Sequence, residues 1–314
     1  MFFNNSSLLT KERKGEPFLL AHRGLGQTFT MEGIKWDTCT AERIYEPEHP
    51  YLENTLSSME AAFADGADLV ELDIKPTKDG KFAVFHDGTL DCRTNVKGST
   101  KDYTMAELKK VDIGYGYTSD HGKTFPFRGK GVGLMPSLED VMKQFPDQPF
   151  LIHIKNADPK EGTMLAQFLS KLSEKRLNQL TIYGDDGPIA TLKAQLPELR
   201  VMSMATLKSC LIPYLGMGWT GYMPSACENT QLHIPEKYAG LLWGWPNKFL
   251  NRMDQVDTRV IVVAGDGGWS EGFDSAADLK RLPANFTGGI WTNRIDRIAP
   301  LVKRDEERGL DTNK

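Results

Sequence analysis

Residues 66–87 read GADLVELDIKPTKDGKFAVFHD, and this stretch decides the fold. DLVELDI and KFAVFHD are short apolar runs of strand character, separated only by the turn-forming KPTKDG. A parallel crossover needs about a dozen residues or more, so the two runs must pair as a hairpin, with KFAVFHD leaving the sheet as part of a loop. Working outward, further strand-like runs are FLLAHR, FLIHIK, LTIYG, RVMSMA, GLLWGW, RVIVVAG and GGIWTN. Most are separated by segments of helical spacing, such as TLSSMEAAFADGA, SLEDVMKQF, GTMLAQFLSKLSEKRL, GPIATLKAQL and SAADLKRL. Strand and helix in alternation imply a parallel sheet covered by helices. With the hairpin arm set aside, about eight parallel strands remain, the number that closes an α/β (β/α)8 or TIM barrel. A doubly wound dinucleotide fold would place a glycine-rich turn and a helix after the first strand; Gly24-Leu25-Gly26 lacks the third glycine and the helical pattern.

The expected organisation is one domain over residues 1–314, with long loop insertions at about 27–51 and 211–236 decorating the carboxyl-terminal face. The first of these either closes over the barrel mouth or forms a subunit contact; the sequence leaves both open, and oligomeric state with them. With 38 Lys+Arg against 42 Asp+Glu, a formal charge of −4 and 40% hydrophobic residues, the chain is neither disordered nor a nucleic-acid clamp. No run reaches the roughly 18 apolar residues of a membrane span. The N-terminal MFFNNSSLLTKERKGEPF runs opposite to a secretory signal, so a cytoplasmic protein is expected. Cys39, Cys92, Cys210 and Cys227 form no C-x-x-C pair and are expected as reduced thiols.

Charged residues accumulate where the strands end: His22 and Arg23, Glu71 and Asp73, His86 and Asp87, His153 and Lys155. In a barrel those ends form the active face. Glu71 and Asp73, two apart on a strand, share a face, and two carboxylates so placed repel unless a proton or a metal intervenes. An imidazole next to a guanidinium, as in His22-Arg23, suits a phosphate ester, because arginine grips two oxygens while histidine moves a proton near neutral pH. His49, His121 and His233 are placed in loops and receive no role.

AHRG from Ala21, ENT from Glu53, GADLVELD from Gly66, TKDG from Thr77 and FHD from Phe85, in this order and spacing, resemble the glycerophosphodiester phosphodiesterase family. DIG from Asp112, LMPSLEDV from Leu134 and GIWTNR from Gly289 are similar to further stretches of it. The resemblance is dense over Phe18 to Lys155, thin from about Asn156 to Arg259, and returns near the C-terminus. It implies a TIM-barrel, metal-dependent hydrolase that cuts a small-molecule phosphodiester into an alcohol and a phosphomonoester. Position by position it implies His22 and His86 as the acid/base pair, Arg23 and Lys155 as phosphate ligands, Glu71 and Asp73 as ligands of one divalent metal, and Glu53 as a ligand or a support for one.

Two positions depart from the family pattern. His153 stands where a glutamate supplies another metal ligand, which favours Zn²⁺, Mn²⁺ or Co²⁺ over Mg²⁺ or Ca²⁺. Asn293 stands where aspartate is common. Trp219, Trp243, Trp245, Trp269 and Trp291 offer flat faces for a bulky headgroup, and the resemblance extends to enzymes that cleave agrocinopine-type sugar phosphodiesters. The alternatives are a sphingomyelinase-D-like phospholipase, which would favour a signal segment and disulfides, and a non-catalytic phosphodiester-binding barrel.

Overall fold

The structure is a computed structural model that describes residues 7, 10, 13–35, 38–268 and 271–303. Its strands are β1 (Phe18–Ala21), β2 (Leu69–Pro76), β3 (Phe82–Val84), β4 (Phe150–Ile154), β5 (Leu180–Gly184), β6 (Arg200–Met202), β7 (Gln231–Pro235), β8 (Arg259–Val263) and β9 (Gly289–Thr292). Eight of them, in the order β6-β5-β4-β2-β1-β9-β8-β7, with helices in the intervening segments, give the topology of a TIM barrel; β3 pairs only with β2. The chain divides into two compact units, one of His22–Ala64 and Leu69–Ala205, the other of Met1–Ala21, Asp65–Asp68 and Thr206–Lys314.

In the His22–Ala205 unit, β2, β4, β5 and β6 run parallel, and β3 returns antiparallel on β2 with Ile74 opposite Val84 and Pro76 opposite Phe82. The hairpin expected from KPTKDG is therefore present. Its turn is closed by Thr77, whose amide donates to the Lys81 carbonyl at 2.9 Å, and by Gly80 at φ +72°. All eight residues of β2 are buried, as a strand covered on both faces requires. Beyond β3 the chain builds a second core in which Phe85, Leu90, Met105, Ile113, Tyr117 and Phe127 pack with Ala41, Ile44 and Leu52. The insertion at 27–51 is thus anchored by its own apolar residues, and it contains a short 3-10 turn, Thr40–Arg43. The SLED sequence starts the helix Leu138–Gln144 with a capping box: Ser137 accepts from the Asp140 amide while the Asp140 carboxylate accepts from the Ser137 amide. The helices Pro159–Leu169 and Asp186–Gln195 lie so close that a Cβ on Gly162 would sit 2.2 Å from the Pro188 carbonyl oxygen.

In the other unit β1, β9, β8 and β7 run parallel. Asp68 ties into β1, exchanging its carboxylate and amide with the Leu19 backbone at 2.8 and 2.9 Å. Two expectations fail here. The strand after β6 is Gln231–Pro235, so His233 lies on a strand and not in a loop, while GLLWGW is a series of turns. Within GLLWGW, Leu242 and Trp245 donate to carbonyls three residues back, and Gly244 takes φ +82°, which breaks any extended run. The 211–236 stretch is likewise no simple loop: it holds the end of the helix Met204–Met217 and all of β7. Its glycines and prolines read as loop, but Pro213 lies inside the helix, whose Cys210 and Tyr214 are buried.

The cysteines are also corrected. Cys39 is bonded to Cys92 and Cys210 to Cys227, across separations of 53 and 17 residues with Cα–Cα distances of 5.5 and 4.7 Å. Those distances fall inside the range a disulfide spans; the linear spacings have no recognisable pattern because folding, and not sequence proximity, brings the pairs together. No described helix is long and apolar enough to cross a membrane.

Candidate active site

The chain leaves β1 through two left-handed residues, Arg23 at φ +58° and Gly24 at φ +76°. Only glycine fits at 24, because a Cβ there would lie 2.7 Å from the Ser58 carbonyl carbon. Arg23 has a side chain and is strained in this conformation; the strain is held by its amide on Glu71 Oε2 at 3.2 Å and by its carbonyl, which accepts from the Asn54 amide at 3.0 Å. Asn54 is itself left-handed, at φ +60°, and grips Asp73 twice: Nδ2 donates to Oδ2 at 2.9 Å, and Oδ1 accepts from the Asp73 amide at 3.0 Å.

Strand register does the rest. Asp73 is paired with His153 between β2 and β4, and His153 with Tyr183 between β4 and β5, so the three side chains form one row across three strands. His153 Nδ1 lies 3.1 Å from Asp73 Oδ1 and 3.8 Å from Glu71 Oε1, and its ring stacks on Tyr183 with centroids 4.0 Å apart. The Tyr183 hydroxyl donates to Glu71 Oε1 at 2.7 Å. Lys155 Nζ stands 3.6 Å from Asp73 Oδ1, Arg23 Nε 3.2 Å from Oδ2, and His22 Nε2 3.9 Å from Glu71 Oε2. Both carboxylates are fully buried.

His86 enters through a relay. Its Nδ1 is 2.8 Å from Asp87 Oδ1; Arg93 Nε donates to Asp87 Oδ2 at 2.8 Å, and Arg93 Nη1 to Glu53 Oε2 at 3.1 Å. The other Glu53 oxygen accepts from Arg23 Nη1 at 2.9 Å. Both oxygens of Glu53 are therefore engaged by arginines, and Glu53 stands apart from the one cluster of described residues placed to hold a metal, namely Glu71, Asp73 and His153, whose ligand atoms lie within 4.8 Å of one another.

The electrostatics follow from burial and from which neighbour each group meets. Burial and the adjacent Asp73 charge push the Glu71 carboxyl up to about 8. Burial pushes Asp73 up as well, but Lys155 and Arg23 outweigh it and hold the group well below the usual carboxylate range. Burial lowers His153 to about 4 and, with Arg23, lowers His86 below its ordinary value. Near neutral pH both imidazoles are uncharged, so each has a nitrogen lone pair to offer. Two carboxylates crowded against a neutral imidazole, one of them unable to ionise fully for want of positive charge, are a donor set that fits a divalent cation.

The residues expected from sequence thus converge, with His22, Arg23, Glu53, Glu71, Asp73, His86, His153 and Lys155 all in the His22–Ala205 unit. The five tryptophans offered for the headgroup do not belong to that unit. Trp291 is buried in β9 with its ring edge-on to His233, Trp245 packs on Phe249 and Phe286, and the indoles of Trp219 and Trp243 donate to the carbonyls of Gly216 and Leu215. Trp269 lies outside the described residues. Asn293, standing where aspartate is common in the family pattern, donates its amide and Nδ2 to Asp274, at 2.6 and 2.9 Å. Asn54, Asp87, Arg93 and Tyr183 were given no role from sequence. Tyr183 had a signal in its position at the end of LTIYG; Arg93, six residues past Asp87 in an irregular loop, had none.

The buried carboxylates, neutral imidazoles and paired cations gather at the carboxyl ends of the strands, the face on which TIM-barrel enzymes carry their active sites. The model of the glycerophosphoryl diester phosphodiesterase family matches residues 22–196, more than half of the chain, and the chain belongs to that family. It is 38% identical over 196 residues to the glycerophosphodiester phosphodiesterase of Caldanaerobacter subterraneus subsp. tengcongensis, a match covering 60% of this chain and 74% of that protein. It is 38% identical over 137 residues to the Bacillus subtilis glycerophosphodiester phosphodiesterase, covering 42% of this chain but only 43% of the relative. Among solved structures, an Oleispira antarctica phosphodiesterase in complex with the product sn-glycerol-3-phosphate superposes with a TM-score of 0.56 at 15% identity, covering 90% of this chain and 94% of the other.

Proposed function

We propose that the protein is a phosphoric diester hydrolase that cleaves glycerophosphodiesters into an alcohol and a phosphomonoester. The observation that carries this is the convergence on Asp73: one buried carboxylate flanked by Arg23, Lys155 and His153, with Glu71 beside it and His22 within 3.9 Å of Glu71. Arg23 and Lys155 bind the non-bridging phosphate oxygens. Asp87, ionised and held by Arg93, accepts Nδ1–H of His86, which leaves the lone pair of Nε2 to take the proton of the attacking water. His22 delivers a proton to the departing alkoxide, so the P–O bond to the alcohol breaks as the bond from water oxygen to phosphorus forms. Glu71, Asp73 and His153 would hold one divalent cation, which supplies positive charge to the phosphoryl oxygens when bound. The imidazole in this set favours Mn²⁺, Co²⁺ or Zn²⁺.

The neighbour solved with sn-glycerol-3-phosphate supports a glycerol-bearing product. Among the described tryptophans offered for a sugar phosphodiester of the agrocinopine type, Trp245 and Trp291 are committed to packing, which weakens that reading. Neither compact unit is continuous in sequence, which supports residues 1–314 acting as one catalytic domain. The two disulfides favour an oxidising compartment over the cytoplasm. They also remove one of the two arguments against a sphingomyelinase-D-like phospholipase, so lysophospholipid belongs in the substrate screen.

The test is steady-state hydrolysis of glycerophosphocholine, with sugar phosphodiesters and lysophosphatidylcholine as comparators. His22→Ala and His86→Ala should each lower kcat by roughly 10²- to 10⁴-fold with little change in melting temperature. Near-normal turnover in both variants would reject the assignment.

A further inference from the structure

We propose that Arg93 is a positioning residue that couples the proton-transfer arm of the site to its phosphate-binding arm; the inference rests on the reading of His86 and Arg23 given above. Arg93 is buried at 3% exposure and touches neither carboxylate of the metal cluster. Its planar fork is divided between two acids. Nε meets Asp87, whose other oxygen orients His86, and Nη1 meets Glu53, whose other oxygen orients Arg23. The charges alternate along the path Asp87, Arg93, Glu53, Arg23, Asp73, so the three interior ions, Arg93, Glu53 and Arg23, each have an opposite neighbour on either side.

The fork is held from behind as well. Nη1 also donates to the Tyr117 hydroxyl at 2.6 Å, Nη2 donates to Thr40 Oγ1, and the guanidinium carbon lies 5.3 Å from the centre of the Tyr117 ring. The residues preceding Thr40 and Arg93 are the bonded pair Cys39 and Cys92, so the disulfide fixes the backbone on both sides of this contact. Gly116 seals it: its amide donates to the Arg93 carbonyl at 3.2 Å, and a Cβ at 116 would lie 1.9 Å from the Cys92 carbonyl oxygen. A lysine cannot replace this arrangement, since one ammonium has no rigid fork with which to serve Asp87 and Glu53 in two fixed directions.

The experiment compares Arg93→Ala, Arg93→Lys, Asp87→Asn and Glu53→Gln in hydrolysis of glycerophosphocholine, with melting temperatures recorded for each. Asp87→Asn should act on kcat, lowering it roughly 10- to 100-fold at nearly constant KM, and Glu53→Gln should act on KM, raising it by about tenfold, these being the sizes of lost charge-assisted hydrogen bonds. Arg93→Ala should do both. In the Arg93→Ala background, adding Asp87→Asn should change kcat by less than about threefold, because its effect has already been taken. If removal of a buried cation prevents Arg93→Ala from folding, Arg93→Lys carries the test, with kcat lowered and KM raised together in a protein that melts cooperatively. Effects of Arg93 and Asp87 that simply multiply, or an Arg93→Lys enzyme with wild-type kcat and KM, overturn the inference. His86→Ala separates this from the reading beneath it: an active His86→Ala enzyme defeats that reading, whereas an inactive one beside an unimpaired Arg93 variant defeats the coupling alone.

Discussion

The two compact units spend their buried polar groups differently. In the His22–Ala205 unit the strands themselves carry ionisable groups: Glu71, Asp73 and Lys75 lie on β2, and His153 on β4, all but His153 buried at 5% exposure or less. In the other unit β1, β7, β8 and β9 read FLLA, QLHIP, RVIVV and GIWT, with no carboxylate among them. Burying a carboxylate is costly unless something pairs with it, and this unit sets arginines, a lysine and imidazoles beside the carboxylates it buries. The family match, over residues 22–196, takes in most of this unit and, of the other, only Asp65–Asp68.

The strongest way to break the comparison is to exchange one polar group in each unit. Asp73→Ala removes the residue on which Arg23, Lys155, His153 and Asn54 converge, and should lower kcat by about a thousandfold or more while abolishing Mn²⁺ binding measured by titration calorimetry. His233→Ala, on β7, removes a ring that contacts Gln231 and Trp291 and should leave kcat within about twofold. Comparable losses in the two variants would break the contrast between the units.

The disulfides come next. In the chain-entropy model the 53-residue separation of Cys39 and Cys92 is worth about 4 kcal/mol, and the 17-residue separation of Cys210 and Cys227 about 3 kcal/mol. Urea unfolding of Cys39→Ala/Cys92→Ala and Cys210→Ala/Cys227→Ala should show both losses. Only the first should also lower kcat, because only the first flanks Arg93. Equal activity in the two double variants at equal stability would mean that the clamp around Arg93 is dispensable.

How much of this could be read from the sequence depends on where a residue's neighbours lie. The placement of Glu71, Asp73, His153 and Lys155 at one face was legible because a strand fixes its side chains by period and a barrel fixes which end is active, while the roles of His153 and Lys155 came from the family resemblance. The hairpin was legible because six residues cannot make a crossover. Arg93 was not, since its role depends on Asp87, Glu53, Thr40 and Tyr117, three of them more than 20 residues away along the chain. The pairing of four cysteines at unrelated spacings was closed to inspection for the same reason. The missed strand β7 has another cause. QLHIP alternates polar and apolar groups in only five residues, while the nearby GLLWGW is more apolar, and hydrophobicity without attention to its two glycines pointed to the wrong segment.

A smaller effect tests the row across β2, β4 and β5. Tyr183→Phe keeps the ring stacked on His153 but deletes the hydroxyl that donates to Glu71, leaving a buried carboxyl oxygen with one donor fewer. The expected loss is about 1–3 kcal/mol, read as a fall in activity or in melting temperature, and weaker Mn²⁺ binding should accompany it. A Tyr183→Phe protein indistinguishable from the parent in all three would remove Tyr183 from the site.

The smallest expected effect separates the units by the sign of a pH dependence. Asp120, in the site-bearing unit, accepts from the Thr124 amide and hydroxyl, from Thr118 and from the Lys123 amide, and these hydrogen bonds hold it down to about 2. A depressed carboxylate stabilises the fold above its ordinary value of 3.8, and that contribution is lost as pH falls through about 2. Asp274, in the other unit, is raised by burial, only partly countered by hydrogen bonds from Asn293 and Thr292. Its contribution has the opposite course, present below 3.8 and lost as pH rises through its folded value. Asp120→Asn should therefore flatten the decline of melting temperature between about pH 4 and pH 2, and Asp274→Asn should flatten a decline on the upper side of pH 4. Both slopes are small because each reports a single carboxyl group, and thermal melts across pH 2–7 would resolve them as differences from the parent; if both substitutions changed the same limb, the two carboxylates would sit in like environments and the contrast between the units would not extend beyond the site.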